Sequence, residues 1–147
     1  MIIVHMKIKI KRFDRDVPLP QYDKDAAGLD LFSRSEITIE PGEIKGIPSN
    51  VAMEIPKNHV LLVVSRSTIP TRRGLVMPHS VGVIDPFFCG DDNEIILIFK
   101  NTTNKTVIVE KGAKLAQGIL VKFERIELEE VQKLENSGAV NVSYDRK

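Results

Sequence analysis

The stretch HVLLVVSRSTIP, residues 59–70, joins a continuous apolar run to a short polar run. Apolar residues without interruption at 60–64 are typical of a strand that is buried on both faces. Residues 65–68 follow at once, so that strand ends in hydroxyl groups around the guanidinium of Arg66. Arg binds phosphate oxygens in a fork, and hydroxyls supply further hydrogen bonds, so this strand end is a candidate phosphate site. A polar turn with Arg66 in a structural ion pair is the alternative.

Short segments with strand spacing recur along most of the chain. They occupy residues 6–11, 37–39, 51–55, 59–64, 95–99, 106–109 and 118–123. Turn signals such as Pro41-Gly42 and Lys111-Gly112 separate them. Many short strands at close intervals predict an all-β barrel or sandwich. Helical spacing occurs at residues 129–136, so we expect at most one short helix.

Length and charge restrict the class of protein. The 147 residues suit a single domain, and 21 basic against 20 acidic side chains leave a net charge of +1. This balance gives no strong positive field, which disfavours a general nucleic-acid binder. Cys89 is the single cysteine, which fits a reducing compartment. The apolar start of the chain is too short and too quickly charged for a signal peptide or a membrane span, so we expect a cytoplasmic protein.

The segment GVIDPFFCG, residues 82–90, places one carboxylate between an apolar run and an aromatic pair. A strand ending at Ile84 would deliver Asp85 to the same sheet edge as Arg66, where it could serve as a general base toward water. The alternative is a plain strand end followed by a turn. One of Phe87 and Phe88 is expected in the core and the other along a cleft. Three nearby acids are expected at the solvated tip of a hairpin: Asp91, Asp92 and Glu94.

Two further stretches set polar groups among small or apolar residues. In DAAGLDLF, residues 25–32, Asp30 lies between two leucines, and a buried carboxylate needs a partner. In KGAKLAQGI, residues 111–119, Gln117 is the neutral polar residue, which predicts a defined hydrogen bond. Purely structural roles at strand edges fit both side chains as well.

In this order, four motifs resemble those of the trimeric dUTP diphosphatase (dUTPase) family, over about residues 8–123. They are AAGLDL at 26–31, SRSTIPTRRGL at 65–75, GVIDPFFCG at 82–90 and KGAKLAQGI at 111–119. The resemblance implies an all-β, distorted jelly-roll-like β-barrel over residues 1–123, with a C-terminal arm at 124–147. It also implies a homotrimer with active sites at subunit interfaces, and Mg²⁺-dependent hydrolysis of dUTP to dUMP and pyrophosphate.

The resemblance assigns roles by position. Asp85 would activate the water that attacks the α-phosphorus, and Asp30 would position Mg²⁺ through water. Mg²⁺ suits such a site because it prefers phosphate oxygens and retained waters over an all-protein cage. The backbone at residues 82–84 would pair with the uracil edges. The residues assigned to substrate binding are Arg66, Ser67, Thr68, His79, Gly82, Val83, Ile84, Phe88 and Gln117.

Three features depart from the family pattern. Phe88 stands where Tyr is usual under the deoxyribose, which keeps the ring and loses the hydroxyl. His79 stands where a base-contacting Asn is usual, and an imidazole cannot present both amide functions at once. The glycine-rich fifth motif has no clear counterpart in LENSGAVNVSYDRK, residues 134–147, so a free polar tail is expected there.

Two other functions fit parts of the pattern. The homologous dCTP deaminase family shares the SRS and VIDP features, but Ile98 occupies the position of its deaminating Glu. A non-catalytic nucleotide-binding or interaction protein on the same scaffold would account for His79 and the missing fifth motif. The joint presence of Asp85, Arg66 and Gln117 favours an enzyme.

Overall fold

The chain is built from short strands, with one helix of six residues among the described residues. The computed structural model describes residues 5–135 and 138. In chain order the elements are β1 (Ile10–Arg12), β2 (Gln21–Tyr22), β3 (Leu29–Phe32), β4 (Ile37–Ile39), β5 (Ile44–Pro48), β6 (Val51–Met53), β7 (His59–Ser65), α1 (Thr68–Arg73), β8 (Leu75–Val76), β9 (Gly82–Ile84), β10 (Ile96–Asn101), β11 (Val107–Val109) and β12 (Lys114–Lys122). No helix in this part of the chain has the length and apolar character needed to cross a membrane.

The strands pair in four antiparallel sheets. The largest has the order β2-β3-β12-β7-β9, and a second has the order β5-β10-β8. Two further pairs, β1-β6 and β11-β4, complete the described pairing. Most neighbours in a sheet are distant in sequence, so the chain crosses repeatedly between sheets, as in a jelly roll. The predicted all-β class with at most one short helix is confirmed, and the hydrogen-bonded strands form open sheets in the described residues.

The core lies between these sheets and is mainly aliphatic. Leu31, Ile47, Leu97 and Leu115 come from four different strands and are fully buried, with Phe99 as the large aromatic member. Side chains alternate between the two faces of a strand, so each sheet contributes one face to this core. Aliphatic packing follows from a composition in which aromatic residues make up 5%.

β7 is buried on one face only. Leu61 and Val63 are buried, whereas Val60, Leu62 and Val64 on the opposite face are partly exposed. The expectation that this strand is buried on both faces is therefore wrong for the single chain. Sequence periodicity cannot distinguish a face covered by the chain itself from a face covered by another molecule.

The helix lies where a polar turn was expected, and the predicted helix is absent. α1 buries Ile69, carries Pro70 in its first turn, where no intrahelical N–H bond is lost, and ends at Gly74 with φ of 62°. Residues 129–135 are not helical, and residue 136 lies outside the described residues. Isolated segments of this length do not hold a helix without an apolar surface to pack on, and these residues are exposed.

Glu94 is not at a solvated hairpin tip, although Asp91 and Asp92 are exposed as expected. Its carboxylate accepts two hydrogen bonds from Arg34, from Nε at 2.9 Å and from Nη2 at 3.0 Å. It also accepts the backbone N–H of Asn50 at 2.8 Å. The Glu94 side chain is only 10% exposed, so this clamp ties the segment after β3 to the turn before β6 and the entry to β10.

We predict that Glu94→Gln lowers the free energy of unfolding by about 1–3 kcal/mol, because it removes one acceptor from a largely buried charge-assisted pair. The measurement is urea unfolding at one fixed protein concentration. The exposed Glu36→Gln is the matched control and should change little. Equal midpoints for the Glu94 variant and the wild-type protein would contradict the clamp.

Candidate active site

Asp30 lies at the centre of a buried charge cluster. It is 2% exposed, and its Oδ1 lies 3.3 Å from Arg66 Nε while its Oδ2 lies 3.0 Å from Lys114 Nζ. We call Asp30, Arg66 and Lys114 the cation cluster. One carboxylate between two cations leaves a net charge of +1, and the cationic groups are the partly exposed members.

Backbone pairing holds the cation cluster together. Asp30 is in β3, Lys114 begins β12, and the backbone N–H of Arg66 donates to the carbonyl of Leu115 at 3.1 Å. β12 lies between β3 and β7, so all three residues lie at the same end of this sheet. Two of them were predicted site residues, and the structure brings them into contact.

A bulge in β12 explains why Lys114 was missed. Gln117 pairs with Asp30 across the strands, so their side chains share a face of the sheet. In a regular strand Lys114, three residues earlier, would face the other way. The register shifts between Lys114 and Ala116, with Leu115 as the extra residue, and this shift returns Lys114 to the face of Asp30. No alternation in the sequence signals that shift.

Gly28 makes the space that the Gln117 side chain occupies. A Cβ on Gly28 would lie 2.9 Å from Gln117 Cβ and 3.1 Å from Gln117 Oε1. Gly28 thus allows the close approach that the sequence predicted for residues 26–28, whereas Ala26 and Ala27 are exposed. Ser67 and Thr68 directly follow Arg66 in the chain, at the start of α1. The Ser67 side chain makes no capping hydrogen bond to this helix. Ser67 is an exposed residue.

The far end of α1 is fixed to β11 and the turn after it. Arg73 donates to the Ile108 carbonyl at 3.3 Å and to Glu110 Oε2 at 2.8 Å. A hydrogen bond from its own backbone N–H, and then the Arg73 guanidinium, lower the pKa of Glu110. A lowered carboxyl pKa means that the contribution to stability is present at neutral pH and is lost as the pH falls through the lowered value.

Asp85 lies far from the cation cluster within one chain. β9 pairs antiparallel with β7, with Ile84 opposite Leu61 and Gly82 opposite Val63. Continuing this register places Asp85 opposite Val60, near the start of β7, whereas Arg66 follows the end of β7. Six residues of extended strand separate the two positions by about 20 Å. The prediction that both side chains share one edge is wrong for the single chain, because antiparallel pairing reverses the strand ends.

Around Asp85, the residues 82–88 form what we call the acid turn. The Phe88 backbone N–H donates to the Asp85 carbonyl at 3.1 Å, which closes a tight turn. Phe87 is 84% exposed and Phe88 is partly exposed, so the expectation that one of them enters the core is wrong. The exposed His79 has its Nε2 3.5 Å from the point where a Cβ on Gly82 would lie.

β9 is the last strand of its sheet in the described pairing, so one edge of Gly82–Ile84 faces outward. Val83 on this strand is 57% exposed. Unpaired N–H and C=O groups along a strand edge can pair with an extended partner or with a planar ligand that presents matching donors and acceptors.

Within the described residues, no group of three or more His, Cys, Asp or Glu side chains is arranged to hold a metal ion. Asp30 Oδ2 is buried and has no hydrogen-bond donor, because the Lys114 contact at 3.0 Å lacks hydrogen-bond geometry. A divalent ion at this site would therefore take most of its ligands from a substrate and from water. That arrangement suits Mg²⁺, which retains waters and prefers phosphate oxygens.

Comparison with known proteins agrees with this architecture. The dUTPase family model matches residues 14–143. The deoxyuridine 5'-triphosphate nucleotidohydrolase of Dictyoglomus turgidum is 34% identical over 134 residues, covering 88% of this chain and 89% of the relative. That of Clostridium tetani is 35% identical over 131 residues, covering 88% of each.

Solved structures agree as well. The dUTPase of Streptococcus mutans superposes with a TM-score of 0.74 at 32% identity, covering 80% of this chain and 98% of that one. The dUTPase from phage phi11 of S. aureus superposes with a TM-score of 0.78 at 25% identity, covering 88% and 99%. The match extends over nearly the whole of both solved chains.

We predict that Gly28→Ala displaces the Gln117 side chain and lowers the free energy of unfolding by about 1–3 kcal/mol, the usual cost of overpacking. A crystal structure of the variant reports the position of Gln117, and urea unfolding reports the stability. The exposed neighbour Ala27→Ser is the control and should move neither. An unmoved Gln117 in the Gly28 variant would contradict the close approach.

Proposed function

The chain belongs to the dUTPase family, and we propose that it hydrolyses dUTP to dUMP and pyrophosphate at sites completed between the subunits of a homotrimer. The family match and the names of the relatives support the reaction. The observation that carries the intersubunit site is the separation of Asp85 from Arg66 along β7. One chain holds both halves of the site, but it does not bring them together, so each cation cluster needs an acid turn from a neighbouring copy.

An apolar surface supports the homotrimer. The outer face of the largest sheet leaves these side chains partly or fully exposed: Val60, Leu62, Val64, Val83, Ile119 and Val121. By register, Asp30, Lys114 and Gln117 lie on the same face, at one end of it. A neighbouring subunit that buries this apolar face would lie directly beside the cation cluster. Closed symmetric assembly is the usual way for a soluble protein to cover such a surface.

The segment after β12 also lacks cover in the single chain. Ile126, Leu128 and Leu134 are 80%, 85% and 80% exposed. Ile126 and Leu128 alternate with charged residues, which is the pattern of a strand with one apolar face. An arm of this kind is suited to lie along a neighbouring subunit, which supports the C-terminal arm expected from the sequence.

The cation cluster and the start of α1 bind the phosphates in this proposal. The Arg66 guanidinium grips phosphate oxygens in a fork, the hydroxyls of Ser67 and Thr68 donate further hydrogen bonds, and the Gln117 amide assists. The family is one of divalent-metal-dependent enzymes, and we take the ion to be Mg²⁺ held mainly by phosphate oxygens and water. It supplies charge neutralisation on the phosphate chain. For Asp30 Oδ2 to accept a hydrogen bond from a metal-bound water, substrate binding would have to open a path to this oxygen, which is buried and lies 3.0 Å from Lys114 Nζ.

Asp85 from the neighbouring subunit acts as the general base. It is partly exposed, so its carboxylate can accept a proton from a water molecule beside the α-phosphorus. The water oxygen bonds to that phosphorus while the bond to the oxygen bridging the α- and β-phosphorus atoms breaks. Pyrophosphate leaves, dUMP remains, and the proton stays on Asp85. Arg66 stabilises the negative charge that develops on the phosphates.

The acid turn recognises the nucleoside. The outward edge of Gly82–Ile84 offers backbone donors and acceptors to the uracil, as one strand does to another. Phe88 provides an apolar ring for the deoxyribose. His79, beside Gly82, lies at the base end of this edge. Ile98, which occupies the acid position of the deaminases, lies on β10 in a different sheet and offers no carboxylate.

We predict that Asp85→Asn and Arg66→Gln each abolish pyrophosphate release from dUTP, and that mixed trimers of the two variants recover it. A working site needs Asp85 from one variant and Arg66 from the other, so one of the three sites in each mixed trimer should work and about a third of wild-type activity should return. The two variants are co-expressed with different tags, doubly purified and assayed.

The control is each variant carried through the same procedure alone. If mixed trimers remain inactive, the site is not shared between subunits. If Asp85→Asn alone releases pyrophosphate at the wild-type rate, Asp85 is not the base, and a non-catalytic role for the acid turn gains support.

We predict that Val121→Glu, on the outer face of the largest sheet, converts the trimer to monomer and abolishes dUTP hydrolysis. A buried, unpaired carboxylate at an interface is strongly unfavourable, whereas Val121 is 37% exposed in the single chain, which tolerates the change. Light scattering gives the mass. The matched control is Ile108→Glu on β11, which should remain trimeric. A trimeric, active Val121 variant would place the interface elsewhere.

A further inference from the structure

We propose that Lys114 is a phosphate-binding residue of this active site and that the buried Asp30 positions it. This inference rests on the proposed function, since it adds a second cation to the proposed phosphate site. Neither the sequence pattern nor the motif resemblance assigned a role to this lysine. It enters the site only through the bulge in β12.

The cation cluster points its positive end outward. The Asp30 side chain is 3% exposed, whereas those of Arg66 and Lys114 are 28% and 38% exposed. The single negative charge is therefore buried beneath two cations that reach solvent. The charge presented at the surface is positive, and an anion that carries several charges on neighbouring oxygens is its complement. A triphosphate chain fits this description.

Asp30 sets the spacing of the two cations. Each of its oxygens faces a different cation, Oδ1 facing Arg66 Nε at 3.3 Å and Oδ2 facing Lys114 Nζ at 3.0 Å. Without the carboxylate, the two positive groups would repel each other and the long Lys114 side chain would lose its anchor. The ring of Phe32, 6.0 Å from Lys114 Nζ, flanks the same ammonium. A lysine held in this way is pre-organised for a ligand.

The two cations have complementary chemistry. The Arg66 guanidinium is a planar fork that matches two oxygens of one phosphate, whereas the Lys114 ammonium is a compact charge with three donors. Since the ammonium carries three donors, its contact with Asp30 Oδ2 at 3.0 Å does not use all of them. Lys114 can therefore donate to a phosphate oxygen while it remains beside the carboxylate.

If Lys114 were only a counter-ion for the buried Asp30, its loss would lower stability without changing the affinity for phosphate. Lys111 provides the matched control because it lies three residues away and is also paired with an aspartate, with its Nζ 2.7 Å from Asp14 Oδ2. The ion-pair partners of Lys111 are Asp14 and Asp16, whereas Lys114 pairs with Asp30. Loss of Lys111 should change stability without changing the affinity for phosphate.

The test compares Lys114→Met, Lys114→Arg and Lys111→Met with the wild-type protein. Calorimetry measures the affinity for inorganic pyrophosphate and, separately, for deoxyuridine, which carries no phosphate. We expect Lys114→Met to weaken pyrophosphate binding about tenfold, the usual effect of one lost charge-assisted hydrogen bond. The KM for dUTP should rise by a similar factor, whereas deoxyuridine affinity should stay unchanged. Lys114→Arg should restore most of the pyrophosphate affinity, and Lys111→Met should bind like wild type.

The inference is overturned if Lys114→Met lowers the melting temperature but binds pyrophosphate as the wild-type protein does. Should that variant fail to fold, Lys114→Gln takes its place, since it removes the positive charge but keeps a polar donor beside the intact Asp30. Wild-type pyrophosphate affinity in Lys114→Gln also overturns the inference. These binding measurements need no turnover, so a failure of wild-type protein to hydrolyse dUTP would refute the proposed function separately.

Discussion

The antiparallel pairing of β9 with β7 is the constraint on which the rest of the site depends. It fixes Asp85 beside the beginning of β7 and leaves Arg66 beyond its end. The strands are hydrogen-bonded and their inner face is part of the core, so the separation of about 20 Å cannot be closed by side-chain motion. In the proposed mechanism, catalysis by both groups therefore requires a second copy of the chain, which would make oligomerisation a condition of activity.

A single extra residue in β12 decides the composition of the cation cluster, the part of the site that we propose binds phosphate. Because Leu115 is accommodated in the core together with Ala116, Lys114 turns to the same face as Asp30 and Gln117. The buried carboxylate then has two cations on its outer side. Burying the Asp30 carboxylate is costly unless it is paired, and Arg66 and Lys114 supply that pairing. The two cations exceed the one carboxylate by one positive charge, and an anionic ligand is the simplest explanation for that excess at the surface.

The same apolar face joins assembly to binding. The outer side of the largest sheet carries aliphatic residues along most of its length and the cation cluster at one end. In the proposed trimer, a neighbouring subunit that covers the aliphatic part would exclude water from the area beside the cluster and so strengthen the interaction of Arg66 with a phosphate chain. The partial exposure of Val60, Leu62 and Val64 in one chain is thus consistent with a strand that becomes buried on both faces only after assembly.

The sequence by itself determined the all-β class and most strand positions, because alternation and turn residues are local signals, and it singled out Asp30 and Arg66 as site residues. It misplaced the helix, since α1 depends on Ile69 reaching the core, while residues 129–135 have no such surface. The tertiary structure alone decided that Lys114 joins the cation cluster and that Asp85 and Arg66 lie apart. Strand direction and register arise from pairing between distant segments, and no periodicity within one segment encodes them.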